Sequence, residues 1–157
     1  MVEFWVDGQP APQGSKRAFH HAATGKIIMA ESSAKVKPWR QAVASAARDA
    51  MAGNAPAHAS LRMVAVFYFP RPKSHYNSKG ALKPNAPAYV AKVPDLSKLQ
   101  RSTEDAMTGI VYRDDSQIVQ LDLRKLFANP GQSLGASIAV FPVDESLGQN
   151  ATIREVF

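Results

Sequence analysis

The chain of 157 residues contains no cysteine. That absence excludes disulfides, thiolate metal centres and a cysteine nucleophile, and it fits a reducing, cytoplasmic compartment. Long apolar runs are missing as well. The longest near-apolar run, MVAVFYF at 63–69, falls far short of the ~20 residues that a membrane-spanning helix needs. The first ten residues, MVEFWVDGQP, have neither the basic start nor the apolar core of a secretion signal. A soluble protein with no membrane partner is expected. Histidine is scarce: His20, His21, His58 and His75 all fall in stretches that read as loop. None follows a nucleophile motif, so Ser-His-Asp chemistry finds no support. The adjacent His20 and His21 read as surface polar sequence rather than a metal site. There is no P-loop and no GxGxxG, which argues against a nucleotide cofactor.

Negative charge is nearly absent from one long stretch. Between residues 8 and 92 there are 13 Lys and Arg against two acids, Glu31 and Asp49. Between 93 and 122 fall six of the chain's 13 acids: Asp95, Glu104, Asp105, Asp114, Asp115 and Asp122. The formal net charge of +6 suits a polyanionic partner, and nucleic acid is the usual one. Positive charge in one region would attract phosphates, and carboxylates in another would hold a metal that acts on one of them. Two unequally solvated surfaces would give the same pattern, so charge alone leaves both readings open.

The length suits one domain over 1–157. Residues 2–6 (VEFWV) read as a strand ended by the turn Asp7-Gly8. The segment PAPQGSKRAF has two prolines, a glycine and no period, and reads as loop or irregular edge. A short strand is expected over 26–30 (KIIMA), after a turn at Thr24-Gly25. Over 37–51, Trp39, Val43, Ala46, Ala47, Ala50 and Met51 recur on one apolar helical face, with Gly53 as the stop. Residues 61–69 (LRMVAVFYF) read as a buried strand. The stretch 70–94 carries Pro70, Pro72, Pro84, Pro87 and Pro94 among the basic residues Arg71, Lys73, Lys79, Lys83 and Lys92. It reads as a long mobile loop, of the kind that is functional or disordered. A second helix is expected over 97–108, ended by Gly109. An acidic turn, Arg113-Asp114-Asp115-Ser116, then leads into a strand over 117–127, and Asn129-Pro130-Gly131 turns into a strand over 137–141. The order predicts an α+β fold, a small mixed sheet packed with two main helices.

With other chemistries unsupported, carboxylates with a hard cation remain. Mg²⁺ takes one or two carboxylates, with water and substrate phosphate completing its shell. The candidates are Asp95, at the start of the second helix, and Asp114 and Asp115 in the turn after it. The two places are expected at one end of the layer, with the strand after Asp115 running back beside the helix. Asp105 lies ~15 Å further along the helix axis than Asp95, which suits a structural or interface role. Each candidate also has a plainer reading. A helix start favours an acid such as Asp95 anyway. Asp114 and Asp115 could form only a polar turn. Lys16, Arg17 and Lys125 are either surface charges or phosphate contacts. Trp39 reads as core.

At this point VPDLSKLQRSTEDAMTG, followed by YRDDSQIVQLDLRK, resembles the pattern of the RusA Holliday junction resolvases. In that family a PDxDNLxK motif opens a helix, and a DDxQ motif precedes a strand carrying a lysine. GQPAPQGSKRAF resembles the family's basic N-terminal segment, and Trp39 stands where the family commonly has a tryptophan. The likeness runs from Phe4 to Lys125.

The resemblance implies a homodimeric, Mg²⁺-dependent endodeoxyribonuclease, with Mn²⁺ able to substitute, that makes paired nicks in a four-way DNA junction. It assigns metal and catalytic roles to Asp95, Asp114 and Asp115, with Asp115 favoured as ligand. Arg101 falls at the family's functional lysine, which keeps the charge but not its geometry. Lys16, Arg17, Lys73, Lys79, Lys98 and Lys125 are the expected DNA contacts. One departure matters: Ser97 stands where the family has its second aspartate. Ser97 with Gln100 would form a capping box, so the structural job would survive while a carboxylate is lost. Three outcomes follow: the remaining aspartates suffice, Glu104 on the same helix face assists, or the protein mainly binds junctions. A general RNA- or single-strand-binding module is a further alternative, which leaves the acids unexplained.

Overall fold

A computed structural model describes residues 1–14, 16–20, 27–31 and 34–147. At its centre lies strand β4 (Leu61–Phe69), where buried and half-buried residues alternate along the whole length. That period of two turns Leu61, Met63, Ala65, Phe67 and Phe69 toward one face and into the core. Strands β1 (Val2–Asp7), β5 (Ile118–Phe127) and β6 (Gly135–Pro142) complete a four-stranded sheet in the order β1-β6-β4-β5. β6 is antiparallel to both β1 and β4, whereas β5 runs parallel to β4. The sheet is therefore mixed, as expected. A parallel pair needs a long crossover, and residues 70–117 supply it.

The expected α+β arrangement is present, with two long helices, α1 (Val36–Met51) and α2 (Leu96–Met107). They share the core with the same sheet face. Trp39 is the expected core residue: its indole N–H donates to Thr103 Oγ1 at 3.1 Å, and its ring centroid lies 6.5 Å from that of Phe67. α1 ends at Met51, as expected, with Gly53 two positions on at φ 84°. Ala52 takes the left-handed conformation at φ 48°, and its N–H reaches the carbonyls of Arg48 and Asp49. No described helix is long and apolar enough to cross a membrane.

Two expectations are corrected. The segment read as loop from Pro10 contains a strand, β2 (Lys16–His20), antiparallel to β3 (Ile27–Glu31) in a separate two-stranded sheet. Pairing with β3 supplies backbone partners that the irregular sequence did not announce. The stretch 70–94 is fastened rather than loose. Arg71 donates to the carbonyls of Pro87 at 2.8 Å and Ala128 at 3.2 Å, and its guanidinium lies 5.3 Å from the Phe127 ring centroid. Val90 N–H bonds Lys125 O, and Phe127 N–H bonds Ala88 O, which makes an antiparallel bridge between Tyr89 and Leu126 at the edge of β5. The expected turn at Thr24-Gly25 and the tail beyond Leu147 lie outside the described residues.

Strand directions decide which segments meet. β1, β4 and β5 all point the same way. The segment carrying Lys16 and Arg17 leaves the sheet after β1, and 70–94 leaves after β4. Both therefore depart from the same end.

Candidate active site

α2 begins at that basic end. Asp95 is its N-cap residue, in extended backbone, but the carboxylate does not cap the helix. It pairs instead with Lys98 Nζ at 2.9 Å, one turn along. The hydrogen bond and charge of Lys98 hold the Asp95 carboxyl below the usual carboxylate range. The expected Ser97–Gln100 capping box is not formed, because the helix starts two positions earlier than that box requires. Ser97 is exposed on the first turn, and the Gln100 amide instead donates to both Glu104 carboxylate oxygens at 3.2 Å.

Lys125 reaches the same place from β5. Its Nζ donates to Lys92 O at 2.9 Å and to Pro94 O at 2.7 Å, on the backbone just before Asp95. The Val93–Pro94 bond between them is cis. On the other side, Gln13 N–H bonds Lys98 O, and Ser102 Oγ donates to Ala11 O at 2.7 Å. Asp95 thus borders a cleft of ≈ 340 Å³ that includes Pro10, Pro12, Lys35, Phe69 and Lys98 in its walls.

The acidic turn is built differently. Asp114 accepts from Ser116 N–H at 2.9 Å, and the Ser116 side chain first, then this backbone bond, draws its carboxyl down. Gln117 closes the turn. Its Oε1 accepts from Arg113 N–H at 2.9 Å and Asp114 N–H at 3.1 Å. Its Nε2 donates to Ala57 O and Ala59 O, both at 3.0 Å. One side chain thereby ties the turn to the segment before β4, with all of its amide capacity used. The glutamine of DDxQ was the available signal for this role, but the sequence alone gave it no partner. Asp114 is occupied in the cap, which leaves Asp115 as the freely exposed carboxylate of the pair.

The two acidic motifs do not meet. β5 does run back beside α2, as expected. That same direction carries the acidic turn to the C-terminal end of the helix, whereas Asp95 stands at the N-terminal end. α2 has 12 residues, so its length keeps them ~18 Å apart. Near the turn lies Glu104 instead. It is buried, and Tyr112 OH donates to its backbone carbonyl at 3.0 Å. Burial raises the Glu104 carboxyl, Gln100 partly offsets this, and the charges of Asp115 and Asp105 add to it. Among the described residues no three His, Cys, Asp or Glu side chains are grouped to hold a metal. Within one chain the length of α2 keeps Asp95 and Asp115 apart. Two carboxylates at the turn, Asp115 and Glu104, match the number that Mg²⁺ takes from protein.

The remaining expected residues fall as follows. Arg101 is exposed and makes no hydrogen bond or ion pair among the described residues. Lys73 and Lys79 are exposed on the fastened 70–94 segment. Beside them, burial first and then the charges of Arg71, Lys92 and Lys83 lower the His75 pKa, so the ring is neutral at pH 7. Lys16 and Arg17 open β2 opposite Glu31 and Ala30. Asp105 pairs with Arg40 of α1, the structural role expected for it.

Carboxylates on a helix and a turn, with lysines at one end of the sheet, define a protein built to meet a phosphate backbone. The family model "Endodeoxyribonuclease RusA" matches residues 7–134, and the chain belongs to the RusA endodeoxyribonuclease family. It is also 30% identical over 138 residues to the "Uncharacterized protein YqaN" of Bacillus subtilis (strain 168), covering 81% of this chain and 88% of that protein. Family membership supports an endodeoxyribonuclease that resolves Holliday junctions in DNA recombination, and a branched-DNA partner. Nucleases of the family generally depend on a divalent metal.

Proposed function

We propose that this chain is a Mg²⁺-dependent, structure-selective endonuclease that resolves four-way DNA junctions by paired symmetric nicks, acting as a homodimer in the cytoplasm. The observation that carries the reading is the family match over 7–134, which spans both acidic motifs and the basic segments. A divalent ion supplies, when bound, positive charge at a phosphodiester; Mn²⁺ is expected to substitute. Asp115 with Glu104 is the pair we assign to hold it. Asp114 shapes the turn. Asp95 is the family's first motif aspartate and lies at the other end of α2, beside Lys98 and Lys125. There we assign it to the strand-positioning side of the reaction. Arg101 is free to offset charge that builds on the phosphate. Lys16, Arg17, Lys73, Lys79 and Lys98 are proposed to track the DNA backbone.

Ser97 favours a second reading. The family's second aspartate is missing and the two acidic motifs lie apart, as they would in a relative that binds junctions and cuts poorly. One experiment separates the two. Purified protein is incubated with an end-labelled four-way junction and a matched linear duplex, with Mg²⁺ or EDTA, beside Asp115→Asn and Asp95→Asn. Symmetric nicking of the junction alone, lost in EDTA and in Asp115→Asn, supports the resolvase. Tight junction binding without cleavage supports the binder. No preference for the junction sinks both.

A further inference from the structure

α1 and α2 start at the same end of the sheet and run the same way. Lys35, the N-cap of α1, stands in the wall of the Asp95 cleft. Further along, Trp39 bonds Thr103 and Arg40 pairs with Asp105. The outer surfaces of the two helices enclose an open groove of ≈ 760 Å³ that leads away from the basic end. Ala44 and Ala106 give it a shallow apolar floor, and Lys37, Arg40, Gln41 and Arg48 stand along the α1 side. Among the described residues its one acid, Asp105, is taken up by Arg40.

Helix stability does not explain the two outer cations, Lys37 and Arg48, which are both exposed. Lys37 lies in the first turn of α1, where the helix dipole opposes a positive charge. No acid stands three or four positions from either residue, so neither has the helical ion pair that commonly holds an exposed cation. Neither makes an ion pair elsewhere among the described residues.

The row of charge has the form of a track. A small anion needs cations that converge on one point, whereas these stand on separate turns, ~16 Å from first to last. The floor offers methyl groups and no aromatic ring, so the stacked bases of a single strand find no platform. Nor does it offer the deep apolar holes that the anchors of an amphipathic helix fill. A regular line of negative charge fits it. The backbone of a duplex is such a line, with one charge per ~3.4 Å of axis along each strand, or about five base pairs over the length of the track.

We propose that the groove between α1 and α2 binds the phosphate backbone of one duplex arm of the junction, on the flank of the molecule beyond the basic end. The inference rests on the branched-DNA partner of the proposed function, and on neither the metal nor cleavage. The basic end then meets the branch point, and the groove sets the direction in which an arm leaves it.

The test is hydroxyl-radical footprinting of the full chain on a long-armed four-way junction in EDTA, with a salt titration of affinity beside it. Wild type is expected to protect the branch point and a further stretch of about five base pairs in an arm. Lys37→Gln with Arg48→Gln is expected to expose that stretch and leave the branch point covered. It should also lower the slope of log affinity against log salt by about two, at ~0.9 per phosphate. Lys37→Arg with Arg48→Lys keeps both charges and is expected to behave as wild type. Gln41→Glu, which adds an acid and removes no cation, is expected to weaken the arm protection without disturbing the far-ultraviolet circular dichroism. Protection confined to the branch point in wild type would overturn the inference, as would arm protection that survives the double substitution. So would a slope that falls with the footprint unchanged, since the charges would then act only through the net charge of the protein. A junction bound with its arm covered but never nicked in Mg²⁺ leaves this inference standing and removes the nuclease reading. Nicking in Mg²⁺ with no protected arm does the reverse.

Discussion

Lys125 donates from Nζ to the carbonyl oxygen of Pro94 at 2.7 Å, on the residue immediately before Asp95. The lysine carried by the strand after the DDxQ motif therefore holds the backbone of the first acidic motif, through a second bond to Lys92 O. Lys125→Met is expected to cost about 1.5–3 kcal/mol in urea unfolding, the range for hydrogen bonds to charged groups. If Lys125 only anchors the backbone, the salt dependence of junction binding stays the same. A slope lowered by about one would instead show a phosphate contact.

Gln117 offers a second test. Gln117→Leu leaves the Ala57 and Ala59 carbonyls and the Arg113 and Asp114 amides without their partner. Unfolding should become easier by about 1–3 kcal/mol. Junction affinity should hold while the cleavage rate falls, because the acidic turn is displaced and the basic end is not. Equal loss of both would show that the clamp matters to the whole fold and not to the turn.

Ser97 is exposed on the first turn of α2, where a negative charge is favoured by ~0.3–1 kcal/mol. Ser97→Asp should therefore be tolerated in thermal unfolding, and it returns the motif's missing carboxylate. With the ion held by Asp115 and Glu104 at the far end of α2, cleavage is expected to change little. A rise of at least about tenfold, equivalent to ~1.4 kcal/mol of barrier, would place the missing ligand at the Asp95 end. An unchanged rate with normal binding would mean that Asp115 and Glu104 already supply what the reaction uses.

The Glu104 carboxyl is raised in the folded chain, chiefly by burial. A raised acid binds more protons folded than unfolded, so its contribution to stability falls as pH rises from its unfolded value through its folded one. Glu104→Gln should then stabilise the protein at pH 7 and lose that advantage near pH 4. Urea titrations of both proteins at the two pH values measure it. A destabilising change at pH 7 would show that the ionised carboxylate is held by contacts that outweigh its burial.

Much of the fold was legible before any coordinates. The alternation in LRMVAVFYF and the helical spacing of Trp39, Val43 and Ala47 report burial directly, since each period maps onto one face of a strand or helix. β2 was not legible, because KRAFH follows two prolines and a glycine and its partner lies across an intervening segment. The order of 70–94 was hidden for a related reason. Its prolines signal loop, while Arg71 fastens it through carbonyls 16 to 57 residues away.

For the site, local composition determined which residue types were available: no thiol, no placed histidine, acids concentrated in 93–122, and the motifs around Asp95 and Asp115. It also determined that Ser97 breaks the first motif. Tertiary structure decided what those residues can touch. The sequence reading placed the two aspartate motifs together because a strand returns beside a helix. A returning strand must start where the helix ends, so Asp115 stands at the Glu104 end of α2 and the N-terminal Asp95 pairs with Lys98. Residue chemistry is written along the chain, but the distance between two such residues depends on strand direction, which only long-range pairing sets.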